Sequence, residues 1–163
     1  MSDTAVAQPA YSAPGTLTPI LTSMWVVDRS WTMDVYRRHG GYEGLAKAKK
    51  MQASEIVELV KASGLRGRGG AGFPTGLKWS FLPAPDGKPR YLVVNADESE
   101  PGTCKDIPTI MGNPHALIEG VAITSRAIGC DHAFVYLLGE VSQVYRRLLA
   151  AAREAMESGL LDT

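Results

Sequence analysis

The order of apolar and polar positions predicts a chain that begins helical and turns to alternating strands and helices. Trp31–His39, Tyr42–Met51 and Ser54–Ser63 read as three short helical segments. The third carries its own boundaries: Ser54 is placed to cap it, Glu55 suits its positive end, Lys61 its negative end, and Gly64 stops it. Further on, Arg90–Val94 is a short β-branched run that reads as a buried strand and breaks off into the polar stretch Asn95–Gly102. A helix follows with Asn113 as cap, Pro114 at its first position and Gly129 near its end. Then come a second strand, His132–Leu138, and a helix from about Val141 to Ser158, stopped by Gly159. Tyr136, Tyr145 and Leu148 are expected in the core.

The order β-α-β-α implies a parallel pair joined by a right-handed crossover. The expected fold is therefore α/β, a Rossmann-like parallel sheet with flanking helices. Parallel sheets are normally buried on both faces and contain more than two strands. The sheet is thus expected to be incomplete at the C-terminal end, the chain being the front portion of a larger domain or a truncated product. Residues 1–16, rich in Ala, Pro and Ser, are expected to be a disordered tail, 17–63 a helical segment, and 64–163 the first part of the α/β domain. No internal repeat is visible.

Charge and cysteine content narrow the classes. Seventeen basic and seventeen acidic residues give no net charge, which argues against a dedicated nucleic-acid binder. No apolar run approaches the roughly twenty residues that span a bilayer, so membrane association is expected only through partners. The two cysteines, Cys104 and Cys130, are widely spaced and read as reduced cytosolic thiols, Cys130 packed at a helix end. His39, His115 and His132 lack metal-ligand spacing and read as surface or packing residues.

The densest chemistry lies in Gly64–Trp79, where six glycines, three cations and the Thr75 hydroxyl fall within sixteen residues. Glycines let successive backbone N–H groups converge on an anion. No acidic residue lies between Glu58 and Asp86, whereas Lys61, Arg66, Arg68 and Lys78 do, so the local field is positive. Gly67-x-Gly69-x-x-Gly72 satisfies the dinucleotide fingerprint, but a helix enters it where a strand should, which argues against an ordinary Rossmann NAD loop. The bland alternative is a flexible Gly/Arg surface loop. Phe73, Trp79 and Phe81 count against that. Beyond the first strand, Asn95 and the carboxylates Asp97, Glu98 and Glu100 sit where open α/β sheets bind ligands, placed to accept from ribose or ribityl hydroxyls. A solvated acidic turn is the alternative. Together the segments form a basic half suited to phosphate and an acidic half suited to a polyol.

Gly64–Trp79, Tyr91–Asp106 and Pro114–Gly120 resemble the flavoprotein subunit of bacterial NADH:quinone oxidoreductase, the NADH-oxidising subunit of respiratory complex I, from about Leu17 to the last residue. Flavoprotein subunits of NAD-linked hydrogenases and formate dehydrogenases share these runs. Ile107-Pro108 departs from the family, which often has arginine there. The resemblance implies FMN and NAD(H) as cofactors and makes 64–163 the first part of an FMN/NADH-binding domain. It places Gly67, Arg68, Gly69, Gly70 and Lys78 at the FMN phosphate. Asn95, Asp97 and Glu98 fall at the flavin and its ribityl chain, and Phe73, Phe81 and Glu100 at NADH. No residue is implied as a general base. A 4Fe-4S cluster belongs to the full-length family, but it needs four thiolates and this chain has two. The implied partners are a thioredoxin-like 2Fe-2S subunit and a large iron–sulfur subunit, at the inner face of the cell membrane. Two functional classes follow: part of a working oxidoreductase subunit, the 163-residue chain alone being inactive, or a non-catalytic nucleotide-binding or assembly remnant.

Overall fold

The computed structural model describes residues 19–161; the expected tail at 1–16 lies outside the described residues. Four short helices come first: α1 (Met33–Arg38), α2 (Glu43–Ala48), α3 (Ala53–Ala62) and α4 (Thr75–Ser80). Strand β1 (Tyr91–Ala96), helices α5 (Asp106–Gly112) and α6 (Pro114–Ile128), strand β2 (His132–Leu137) and helix α7 (Ser142–Glu157) complete the order. β1 and β2 pair in parallel, from Tyr91 opposite His132 to Ala96 opposite Leu137, so the fold is α/β with a two-stranded parallel sheet and flanking helices.

Local signals explain several boundaries. Asn113 Oδ1 accepts the Ala116 N–H at 3.3 Å, Pro114 opens α6, and Gly129 ends it at φ +64°. At α3 the cap is Gln52 rather than Ser54, because the Glu55 carboxylate turns back to the Gln52 N–H at 2.7 Å. Helices α4 and α5 fall in stretches read as loop. Pro108 looks like a breaker, yet it is the third residue of α5, inside the first turn, where an N–H has no intrahelical partner to lose.

Among the described residues, only one sheet face is covered. Leu92, Val94, Ala96, Val135 and Leu137 turn inward, whereas Val93 is 66% and Tyr136 64% exposed. β1 is therefore half-buried rather than buried, and Tyr136 is not in the core. Tyr145 is also exposed, since Val144, Leu148, Ala151 and Ala155 form the buried stripe of α7 and Tyr145 stands one residue off it.

The core is organised by polar groups as much as by apolar ones. Glu119 of α6 is buried and accepts from the Tyr36 hydroxyl at 2.5 Å and from the Tyr42 and Leu45 N–H groups, each at 2.8 Å. It thereby caps α2, whose own N-cap residue, Tyr42, makes no side-chain cap bond. Glu154 of α7 accepts the Met33 N–H of α1 at 2.9 Å and lies 3.1 Å from His115 Nε2. His115 is fully buried, and its Nδ1 is 2.8 Å from the Tyr42 hydroxyl. These partners define the neutral tautomer: Nε2–H donates to the carboxylate and Nδ1 accepts from the phenol. Gly41 completes the arrangement, because a Cβ there would lie 2.2 Å from the Tyr36 ring.

Glu119→Ala would strand three donors and should lower unfolding stability by about 3–5 kcal/mol. Urea denaturation checks it; an unchanged midpoint would remove Glu119 from its central place. Burial, partly countered by Glu154, holds His115 below its ordinary value of 6.5. The unfolded chain then takes up a proton that the folded chain refuses, so stability should be complete above pH 6.5 and fall as pH drops below it. His115→Gln should flatten that slope above about pH 5, where carboxylates contribute little; a slope unchanged by the substitution would show another group to be responsible.

Candidate functional site

The glycine loop is closed at its base. Arg66 and Pro74 form an isolated antiparallel bridge, with Gly67 N–H donating to Phe73 O at 2.9 Å and Thr75 N–H to Leu65 O at 2.8 Å. Helix α3 delivers the chain to this base through Gly64 at φ +69°. Helix α4 leaves from it and packs hard on α3, where a Cβ on Gly76 would lie 2.5 Å from Lys61 N. Trp79 of α4 packs against the buried cluster Ala48, Ile56 and Ala127. The loop is therefore pinned at both feet, which is not how a flexible Gly/Arg linker is built.

Between the feet the backbone is open. Gly70 and Gly72 sit at φ +106° and +59°, and a Cβ on Gly69, Gly70 or Gly72 would meet nothing within 4 Å. Among the described residues, the amides of 68–73 donate to no acceptor. Unused N–H groups, absent side chains and positive charge fit a phosphate. Arg68 and Lys78 are exposed and make no ion pair among the described residues. Phe73 and Phe81 come together beside the loop, ring centroids 6.1 Å apart and both exposed.

The end of β1 divides its polar groups between two uses. Asn95 Oδ1 accepts the Asp97 N–H at 3.0 Å, which leaves the Asn95 amide nitrogen and the Asp97 and Glu100 carboxylates without partners among the described residues. Glu98 is engaged instead. Its carboxylate accepts the N–H groups of Lys105, of Asp106 at 2.8 Å and of Ile107 at 2.9 Å, capping α5. Burial opposes its ionisation, but these three donors outweigh that and hold its carboxyl below the ordinary carboxylate value. By sequence Glu98 groups with Asn95 and Asp97; its cap reaches over a seven-residue gap that no local capping pattern describes. No hydrogen bond joins 67–73 to 95–100 among the described residues.

A hollow of about 840 Å³ lies elsewhere, between α6, α7 and the inner face of β2. It is lined by apolar side chains such as Val121, Leu149 and Met156 and includes none of the site residues. Its character is that of a packing groove. Cys104 is exposed and Cys130 buried, both as free thiols. No helix among the described residues is long and apolar enough to cross a membrane.

Residues 60–162 match the family described as the Nuo51 FMN-binding domain. The F subunit of NADH-quinone oxidoreductase from Streptomyces coelicolor is 63% identical over 145 residues, covering 89% of this chain and 32% of that protein. Its counterpart from Mycobacterium tuberculosis is 55% identical over 152 residues, covering 89% of this chain and 34% of the relative. Among solved structures, an NAD+-reducing NiFe-hydrogenase in the air-oxidised state superposes with a TM-score of 0.62 at 40% identity, over 68% of this chain and 19% of that one. The chain spans about a third of the length of the curated relatives it matches. With its glycine loop and strand end both inside the matched residues, the chain belongs to the Nuo51 FMN-binding domain family.

Proposed function

We propose that this chain supplies the FMN phosphate cradle and part of the NADH-facing wall of an NADH-oxidising flavoprotein subunit. The observation that carries the reading is the run of backbone amides from 68 to 73, left without acceptors among the described residues on a loop pinned at both feet. Family membership supports FMN as the ligand, and the names of the relatives support NADH as its reductant.

In this reading Gly69 and Gly70 let the backbone reach the phosphate, while Arg68 and Lys78 offset its charge. Gly67, whose N–H is already bound to Phe73 O, shapes the cradle. Asn95 and Asp97 hold the flavin and ribityl polar atoms, and Glu98 serves them by fixing the loop between β1 and α5. Phe73 and Phe81 offer an aromatic surface to the NADH rings, with Glu100 near the dinucleotide. Bound FMN supplies the capacity to accept a hydride and release electrons singly. The protein's part is to align rings and exclude water, and no general base is required. The identities favour the NADH-quinone oxidoreductase setting over the hydrogenase one, 63% against 40%. Other subunits of that complex, including iron–sulfur subunits, are then the partners, and the membrane is reached through them.

FMN titrated into the isotope-labelled chain should shift the amide resonances of 68–73 and leave those of α7 in place. Riboflavin, lacking the phosphate, should bind more weakly. Lys78→Ala should weaken FMN binding by a charge-assisted contact of about 1.5–3 kcal/mol, a loss that shrinks as salt rises. Glu100→Gln should leave FMN binding intact and act on NADH. Equal binding of FMN and riboflavin, or no response at 68–73, would support the remnant reading instead.

A further inference from the structure

Arg66 is the cation of the glycine segment whose side chain is already in use. Its backbone forms the foot of the loop opposite Pro74, and its guanidinium crosses the loop, Nη1 donating to Gly72 O at 3.0 Å. Three hydrogen bonds therefore close 67–73: Gly67 N–H to Phe73 O, Thr75 N–H to Leu65 O, and the guanidinium to Gly72 O. The third differs in kind, because it is the only side chain among the described residues that holds the loop from within. Gly72 sits at φ +59° with no side chain of its own to anchor it. Without a strut, the backbone between 68 and 72 would be held at its two feet alone. The side chains of Arg68 and Lys78, by contrast, make no hydrogen bond or ion pair among the described residues.

We propose that Arg66 is a positioning residue, a strut that fixes Gly72 and so holds the amides of 68–71 ready for an anion, and that the charge facing the phosphate comes from Lys78 and Arg68. The assignment of the anion as the FMN phosphate rests on the proposed function; the strut does not. An arginine suits the task because its planar fork loses little freedom per bond formed and keeps its direction. A lysine retains the charge but not the fork.

Amide hydrogen exchange on the unliganded 163-residue chain separates the two ideas. Gly67 and Thr75 should be protected, and Arg66→Ala and Arg66→Lys should each speed their exchange roughly tenfold, with α6 and α7 unaffected. Lys78→Ala should leave both amides as they were. A second arm titrates FMN at several salt concentrations. Arg66→Ala should lower affinity at every salt concentration without changing the slope, whereas Lys78→Ala should flatten the slope. Unprotected Gly67 and Thr75 amides in the unsubstituted chain, or exchange unchanged by Arg66→Ala, would overturn the strut. So would Arg66→Lys with unaltered exchange and full affinity alongside Arg66→Ala with a flattened slope, because Arg66 would then act through its charge. If no variant and no parent chain responded to FMN, the proposed function would fail while the exchange data still decided the strut.

Discussion

Two carboxylates on long helices hold the ends of two helices too short to stand alone. Helices α1 and α2 have six residues each, well under the roughly 12–15 at which an isolated helix is even marginal in water. Glu154 supplies the acceptor at the start of α1 and Glu119 at the start of α2, with His115 wedged between Glu154 and Tyr42. A buried carboxylate is costly unless its lone pairs are occupied, and here they are. The same contacts that make Glu119 tolerable in the core fix where the helical layer sits on α6. Helix α3 rests directly on α6 and meets α2 at Ala48, and α3 carries the glycine loop.

The path from this network to the site is short. Arg126 of α6 donates to Ala48 O and Met51 O, each at 2.7 Å, tying down the end of α2. Ala48, Ile56 and Ala127 then form the small buried cluster on which Trp79 rests. The glycine loop is suspended between α3 and α4, and both are seated on that cluster or on each other. A loop meant to hold a ligand through backbone amides needs this, since amides have no side-chain reach to correct a displaced backbone.

Much of this is legible in the residues because the signals are local. Asn113-Pro114 announces the start of α6, Gly129 its end, and two short apolar runs the strands. The parallel pairing follows from the intervening helix. The buried polar network is not legible, because Glu119 finds its donors about 75 residues away and nothing in either neighbourhood marks the match. Exposure of Tyr136 and Tyr145 is hidden for a different reason: aromatic residues in a strand and on an amphipathic helix read as core unless one knows which face is covered. In the site, residue type shows which groups could bind an anion or a polyol, but not which are already occupied. Arg66 and Arg68 look alike as letters, as do Asp97 and Glu98. Only the fold separates the pair members bound to their own backbone, Arg66 and Glu98, from those left free.

In the proposed function the free members of both groups, the amides of 68–73 and the polar side chains of Asn95 and Asp97, face one ligand. Intermolecular nuclear Overhauser effects between FMN and the isotope-labelled chain test this directly. Simultaneous contacts are expected from the ribityl and phosphate-proximal protons to the amides of 68–73, and from the ring protons to the Asn95 side chain. Contacts to one segment alone, or to the apolar groove between α6 and α7, would contradict it.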